Sequence, residues 1–111
     1  MPSHPTLFCY YLILEKIKRD KPTKKEILYY LSDRGYDLLP RTLERYIETL
    51  RKDYGLEIIY ERTKNRYILD IEGSFGISEL MKFLAIASEA ELITESLKEA
   101  KGNMDFIEFM I

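Results

Sequence analysis

Two arginines four residues apart, Arg41 and Arg45, are the side chains of this sequence best suited to binding chemistry. The surrounding pattern predicts a helix, and four residues make slightly more than one turn, so both guanidinium groups share one face. Thr42, Thr49 and Lys52 lie on or beside that face. Arginine can donate two hydrogen bonds to O6 and N7 of guanine, while threonine and lysine can bind phosphate. The pattern therefore predicts that this face contacts double-stranded DNA.

A second basic cluster follows the helix, with Arg62, Lys64 and Arg66 alternating with Thr63 and Asn65. β-branched and aromatic residues are frequent on both sides of it, which predicts two strands joined by a turn. A basic hairpin tip fits contact with DNA phosphates. Lysine and arginine on an edge hairpin can also serve only to prevent aggregation between sheets, so the cluster alone leaves both interpretations open.

The arginine-bearing face can also be interpreted as an ordinary solvated helix surface. Glu44 and Glu48 lie on the same helix, and carboxylates repel phosphate unless they accept from a cytosine amino group or orient a neighbouring arginine. The charge distribution favours DNA binding despite a net charge of −2. Residues 1–70 contain 14 Lys and Arg against 11 Asp and Glu, whereas residues 71–111 contain 3 against 8. The basic surplus is therefore in the N-terminal part.

A first helix is predicted over residues 6–19, with Thr6 as its N-cap. Leu7, Tyr11, Leu14 and Ile17 recur there at helical spacing. Further apolar residues flank this stripe, so the helix is apolar on more faces than a small three-helix core requires. We therefore expect another element to cover it.

The second and third helices have recognisable boundaries. Thr23 and Glu26 form a T-x-x-E capping box that begins the second helix, and Gly35 ends it. Pro40 suits the first turn of the third helix because its missing N–H is not needed there. The third helix is therefore predicted over residues 40–54.

A long fourth helix is predicted from Ser78, which can cap it, to Gly102. Residues 104–111 then have the pattern of a strand without a local partner, so we expect the chain to be cut short. The apolar residues of the fourth helix are expected to form one face: Leu80, Phe83, Leu84, Ala87, Ala90, Ile93 and Leu97.

Three short helices followed by a hairpin form the element order of a winged helix-turn-helix. The expected fold class is mainly α with a small β-hairpin, followed by a long linker helix. Residues 1–72 would form the DNA-binding domain, and residues 73–111 the linker helix and the start of a truncated C-terminal region. The helix at residues 40–54 would enter the major groove as the recognition helix, and residues 57–70 would form the wing on the DNA backbone.

The residue types give no support to an enzyme or a metal protein. His4 is the only histidine and Cys9 the only cysteine, which excludes an internal disulfide, a cysteine-based metal cluster and a histidine-based triad within the sequence. We therefore expect no catalytic residues, no cofactor and no metal. The sequence shows neither a secretion signal nor an apolar stretch of membrane-spanning length, so a cytoplasmic location without membrane contact is expected.

Several short motifs resemble the N-terminal segment of WYL-domain transcriptional regulators. They are Pro40-Arg41-Thr42-Leu43-Glu44-Arg45, Leu50-Arg51, Tyr54-Gly55-Leu56-Glu57-Ile58 and Arg66-Tyr67-Ile68-Leu69. The resemblance covers about residues 7–70, with a looser likeness of residues 77–111 to the helical connector of that family, and no WYL domain is expected to follow. It implies a winged helix-turn-helix that regulates transcription. Carried over by position, it implies DNA contact by Arg41, Thr42 and Arg45 and, in the wing, by Lys64 and Arg66.

Three positions depart from the family pattern. Tyr46 stands where the family usually has an aspartate after the arginine, and Leu39 stands where a serine often caps the recognition helix. The wing has Asn65-Arg66 before Tyr67 in place of its common glycine. The missing cap would cost the helix about 1 kcal/mol.

Two kinds of partner follow from these patterns. Double-stranded DNA is the expected ligand, and the excess apolar surface of the first and fourth helices predicts a homodimer on a two-half-site operator. The alternative is a winged helix used for protein contact alone, in which the Arg41 and Arg45 face is only solvated. DNA binding at low salt distinguishes the two.

Overall fold

The computed structural model describes residues 6–74 and 76–101, with side chains described up to residue 90 and at Ile93 within the last helix. The strand expected at residues 104–111 lies outside the described part. The elements are α1 Thr6–Asp20, α2 Lys24–Ser32, α3 Pro40–Asp53, β1 Ile58–Glu61, β2 Arg66–Leu69 and α4 Ile77–Lys101. The predicted class, mainly α with a small antiparallel hairpin, is confirmed.

Local side-chain chemistry sets the start of α2 and α3. The capping box is present: the Glu26 amide donates to Thr23 Oγ1 at 3.1 Å, and the Thr23 amide donates to Glu26 Oε1 at 2.9 Å. Pro40 occupies the first turn of α3, and Leu39 at the N-cap supplies no side-chain hydrogen bond. The start of α3 therefore depends on the fixed backbone of proline.

The start of α4 lies before the residue that the sequence predicted as its cap. Ile77 is already helical, and the Leu80 amide donates to the Gly76 carbonyl at 2.9 Å, so Ser78 lies inside the first turn. Ile77 is buried in the core. Burial of this side chain explains why the helix begins before the residue with the best capping chemistry.

The hairpin pairs β1 with β2 in antiparallel register, from Ile58 opposite Leu69 to Glu61 opposite Arg66. Its tip is a four-residue turn in which Asn65 has φ +54. Asparagine tolerates this left-handed conformation better than most residues other than glycine. Asn65 therefore closes the turn without a glycine.

The connection between α1 and α2 adds a third, very short extended segment to this sheet. The Tyr67 amide donates to the Pro22 carbonyl at 2.8 Å, and Thr23 forms an isolated antiparallel bridge with Arg66. The segment lies on the edge of β2 away from β1. It holds the start of α2 against the first residues of β2.

The core is centred on α1, which is covered by α2 and β2 and by α4. α1 buries Cys9, Leu12, Ile13, Leu14 and Ile17. It contacts α2 and β2, and it packs more extensively against α4 than against any other element. The cover that the sequence required for α1 is therefore α4 of the same chain. Burial raises the pKa of the Cys9 thiol to about 12, so it is un-ionised at neutral pH.

The expected single apolar face of α4 is wrong, because the apolar residues divide between two sides of the helix. Ile77, Leu84 and Ser88 are buried. Phe83, Ile86 and Ile93 are exposed on the opposite side. No helix within residues 6–74 and 76–101 has the length and hydropathy needed to cross a membrane.

Candidate nucleic-acid interface

The third helix separates a buried apolar side from an exposed basic side. Leu43, Ile47 and Leu50 are buried. Arg41, Arg45 and Lys52 are exposed, as expected from a spacing of 100° per residue. Packing of the apolar side fixes the rotation of α3 and presents the three cations to solvent on one face, which we call the basic face.

The cations of the basic face have no acidic partner within the described part of the chain. The ion pairs found there do not include Arg41, Arg45 or Lys52. Their charges are therefore available to an external anion without the loss of an internal salt bridge.

The two glutamates that favoured a merely solvated face are both paired with cations. Glu44 binds the ammonium group of Lys24, which follows the N-cap of α2. Glu48 Oε1 lies 3.4 Å from Arg51 Nη1, one turn further along α3. Both pairs are partly exposed, so each adds little to stability. Glu48 lies on the basic face, between Arg45 and Lys52, and Glu44 lies beside it. Their pairing with cations reduces the repulsion that a phosphate would meet there.

Thr42 and Thr49 lie at the edge of the basic face, and both are half-buried. Thr49 hydrogen-bonds to the Tyr10 hydroxyl, which opposes the rise in the pKa of Tyr10 caused by burial. Thr49 also borders a shallow depression shared with Arg45 and Lys52. Its hydroxyl is thus engaged with α1, whereas Arg45 and Lys52 point outward.

Tyr46 packs between α3 and α1. Its ring meets the ring of Tyr10 edge-on, with centroids 5.2 Å apart, and Tyr54 lies 6.1 Å from the same ring. Such edge-to-face pairs contribute about 0.5–1.5 kcal/mol beyond their buried area. The Tyr46 side chain therefore attaches α3, which carries the basic face, to α1.

The basic residues of the hairpin differ in their exposure and in their ion pairing. Arg62 and Lys64 are exposed at the tip and take part in no ion pair among the described residues. Arg66 is half-buried at the first position after the turn, where its Nε lies 2.8 Å from Glu61 Oε1. Of the three cations expected to bind DNA, the structure leaves two available and gives Arg66 an internal partner.

Arg51 is the residue that sequence reasoning missed, although it lies in one of the family-like motifs. Its Nε donates to the Ile58 carbonyl at 2.9 Å, which joins the end of α3 to the start of β1. Lys24 and Glu44 lie close enough to Tyr67 to influence its hydroxyl, whose pKa burial raises above its usual value. The hairpin and α3 are therefore held side by side.

Replacing Arg51 with alanine is expected to lower the free energy of unfolding by about 1–2 kcal/mol, because a partly exposed charge-assisted hydrogen bond to the carbonyl of buried Ile58 is lost. Urea unfolding followed by circular dichroism measures the change. Lys52→Ala is the matched control, because the exposed Lys52 side chain next to Arg51 has no ion-pair partner among the described residues. This variant should change the free energy of unfolding by less than about 0.5 kcal/mol. Equal stability of the two variants would contradict the bracing role of Arg51.

Groups of acidic, cysteine and histidine side chains that could hold a metal ion do not occur among the described residues.

A cleft of about 460 Å³ lies between α1 and α2. Its wall includes Tyr30, whose ring carries the Arg34 guanidinium at 3.7 Å and the Lys16 ammonium at 5.0 Å. These contacts satisfy the charged groups internally, and the cleft contributes no side chain to the basic face.

Comparison of the chain with models of protein families, with curated proteins and with solved structures finds no match in any of the three.

Proposed function

We propose that this chain is a winged helix-turn-helix that binds double-stranded DNA sequence-specifically in transcriptional regulation. The observation that carries the proposal is the basic face of α3: Arg41, Arg45 and Lys52 point outward and have no ion-pair partner among the described residues, while Glu44 and Glu48 of the same helix are paired with other cations. In this proposal α3 enters the major groove and Arg41 and Arg45 contact base edges.

The arrangement of the elements supports this assignment. Three helices precede the hairpin, and the α1–α2 connection pairs with its edge strand, as a winged helix requires for a compact sheet. An α-helix with its side chains is about 10–12 Å across, which matches the width of the major groove. The resemblance of residues 40–45 and 66–69 to WYL-domain regulators agrees with this role.

The hairpin is proposed to act as the wing. Arg62 and Lys64 at the exposed tip would bind phosphates of the DNA backbone, and the bond from Arg51 would hold the wing beside α3. Backbone contacts of this kind position the protein without reading the sequence. Lys52, near the end of α3, is assigned to phosphate as well.

The second candidate is a winged helix that contacts only protein. It is favoured by two large apolar side chains that remain exposed close to the turn between α2 and α3, Tyr29 at 76% and Leu39 at 71%. Single exposed apolar residues are common on protein surfaces, so these two give it weaker support than the basic face gives to DNA binding.

Binding to a labelled random duplex at low salt tests the proposal. We expect fluorescence anisotropy to show binding that weakens steeply as salt increases, because counterions are released from the DNA. Arg45→Glu should abolish this binding. Lys18→Glu changes the net charge equally at an exposed site on α1 and should weaken it only slightly. Absence of binding by the unchanged protein, or equal loss in both variants, would favour the protein-contact candidate.

A further inference from the structure

A carboxylate lies in the middle of the basic face of α3. Four exposed residues follow one another at intervals of four, three and four positions and form a single row along the helix: Arg41, Arg45, Glu48 and Lys52. The row lies opposite the buried apolar side of α3. A shallow depression between Arg45 and Lys52 includes Glu48 in its wall. Glu48 therefore faces outward with the cations.

Glu44, the other glutamate discussed above, is placed differently. It lies beside the row, on the flank that faces α2, where it binds the ammonium group of Lys24. Folding thus gives Glu44 a partner from another helix, away from the line of Arg45 and Glu48. The two carboxylates of α3 consequently differ in what they can contact outside the protein.

The Glu48 carboxylate is oriented by a chain of contacts that begins at the hairpin. Arg51 donates from Nε to the Ile58 carbonyl at 2.9 Å, which holds its guanidinium group against β1. The Nη1 atom of the same group donates to Glu48 Oε1 at 3.4 Å. Among the described residues no hydrogen-bond donor binds Glu48 Oε2. The carboxylate is therefore held at one oxygen and open at the other, which lowers the ordering cost of accepting an external hydrogen bond.

The base edges of the major groove differ in what they offer to such an acceptor. An ionised carboxylate accepts hydrogen bonds and donates none. Guanine presents the acceptors N7 and O6, thymine presents O4, and adenine presents N7 beside its amino group, so each places an acceptor against the carboxylate. Cytosine presents its N4 amino donor without an acceptor of its own. A carboxylate that reaches the base edges therefore selects cytosine.

Resting on the proposed function, in which α3 enters the major groove, we propose that Glu48 determines specificity by accepting a hydrogen bond at Oε2 from the N4 amino group of a cytosine. Glu48 lies about 4.5 Å beyond Arg45 along the helix axis. Successive base pairs are about 3.4 Å apart, so the cytosine belongs to the pair next to the one whose guanine Arg45 contacts. The operator then contains two neighbouring G·C pairs, and the carboxylate penalises any other base at its position.

A change of base preference tests this role of Glu48. An operator is selected from random duplexes, and a second duplex carries adenine in place of the cytosine. Fluorescence anisotropy should show that the unchanged protein prefers the cytosine duplex by about tenfold. Glu48→Gln should prefer the adenine duplex, because a glutamine amide can bind both N6 and N7 of adenine. Glu48→Ala should bind the two duplexes equally.

Glu44→Gln is the matched control, because it removes the same charge from the same helix beside the row. It should change the affinity for both duplexes by the same factor and keep the preference for cytosine. A selected operator without neighbouring G·C pairs, or a Glu48→Gln variant that still prefers cytosine, would show that Glu48 does not read a base, while DNA binding by α3 would stand. Failure of the unchanged protein to bind any duplex at low salt would instead overturn DNA binding itself, and the role of Glu48 with it.

Discussion

Arg45→Ala is expected to weaken binding to a selected operator by about 1–3 kcal/mol and to relax the preference at one base pair, because the outward guanidinium at this position is proposed to contact a base edge. The comparison is made on the best operator selected from random duplexes and on a scrambled duplex of equal length. Binding to the scrambled duplex should fall much less.

Lys64→Ala is the counterpart in the wing and should behave differently. This exposed tip residue is proposed to bind phosphate, so its loss should weaken all sequences nearly alike. The slope of log affinity against log salt concentration should decrease by about one unit, because one fewer counterion is released. Both variants are measured in the same salt series.

The two outcomes that would contradict this assignment are distinct. If Arg45→Ala leaves both affinity and sequence preference unchanged, α3 is not the reading element, and the protein-contact candidate becomes the better account. If Lys64→Ala changes the preferred sequence and leaves the salt slope unchanged, the wing reads bases and the assigned roles are reversed. A folding defect is recognised because it lowers binding to both duplexes and shifts the thermal unfolding curve.

Leu43→Ala is expected to cause the largest loss of stability, about 2–5 kcal/mol, because it leaves a cavity beneath the basic face. Leu43 is fully buried, and its side of α3 holds the helix against the core. A domain of this size has a total stability of about 5–15 kcal/mol, so the variant should be partly unfolded at elevated temperature. Urea unfolding monitored by circular dichroism gives the value.

Leu39→Ala is the matched control for this prediction. It makes the same chemical change four positions earlier, where the leucine is 71% exposed, and should alter the free energy of unfolding by less than about 0.5 kcal/mol. A small loss for Leu43→Ala, or similar losses for both variants, would show that α3 is not held by its apolar side. DNA binding by Leu43→Ala at low temperature should remain detectable, because the cations themselves are unchanged.

Local chemistry made the element boundaries of the N-terminal part predictable. The capping box of Thr23 and Glu26 and the proline that begins α3 act within a single helical turn, so they can be identified without knowledge of the fold. The apolar spacing of α3 likewise predicts that Arg41 and Arg45 point outward. Periodicity fixes which side of a helix is buried whenever the helix has only one apolar side.

The same reasoning fails for α4 because that helix has two apolar sides. Composition places Phe83 and Leu84 in one apolar set, yet the first is exposed and the second is buried. Only the packing of α4 on α1 determines which of its two apolar sides is buried. The start of α4 at Ile77 has the same cause, since burial of that residue extends the helix past the capping residue chosen from sequence.

The electrostatic character of the basic face was also decided by tertiary structure. Sequence alone counts Glu44 as a repulsive charge, whereas folding brings it to Lys24 from another helix and pairs Glu61 with Arg66 across the hairpin. Arg51 joins α3 to β1 through a backbone carbonyl seven positions away. The sequence thus determined which residues can bind an anion, and the packing of helices distant in sequence determined which of them are free to do so. Ion pairs and braces between elements depend on distances that no local pattern contains.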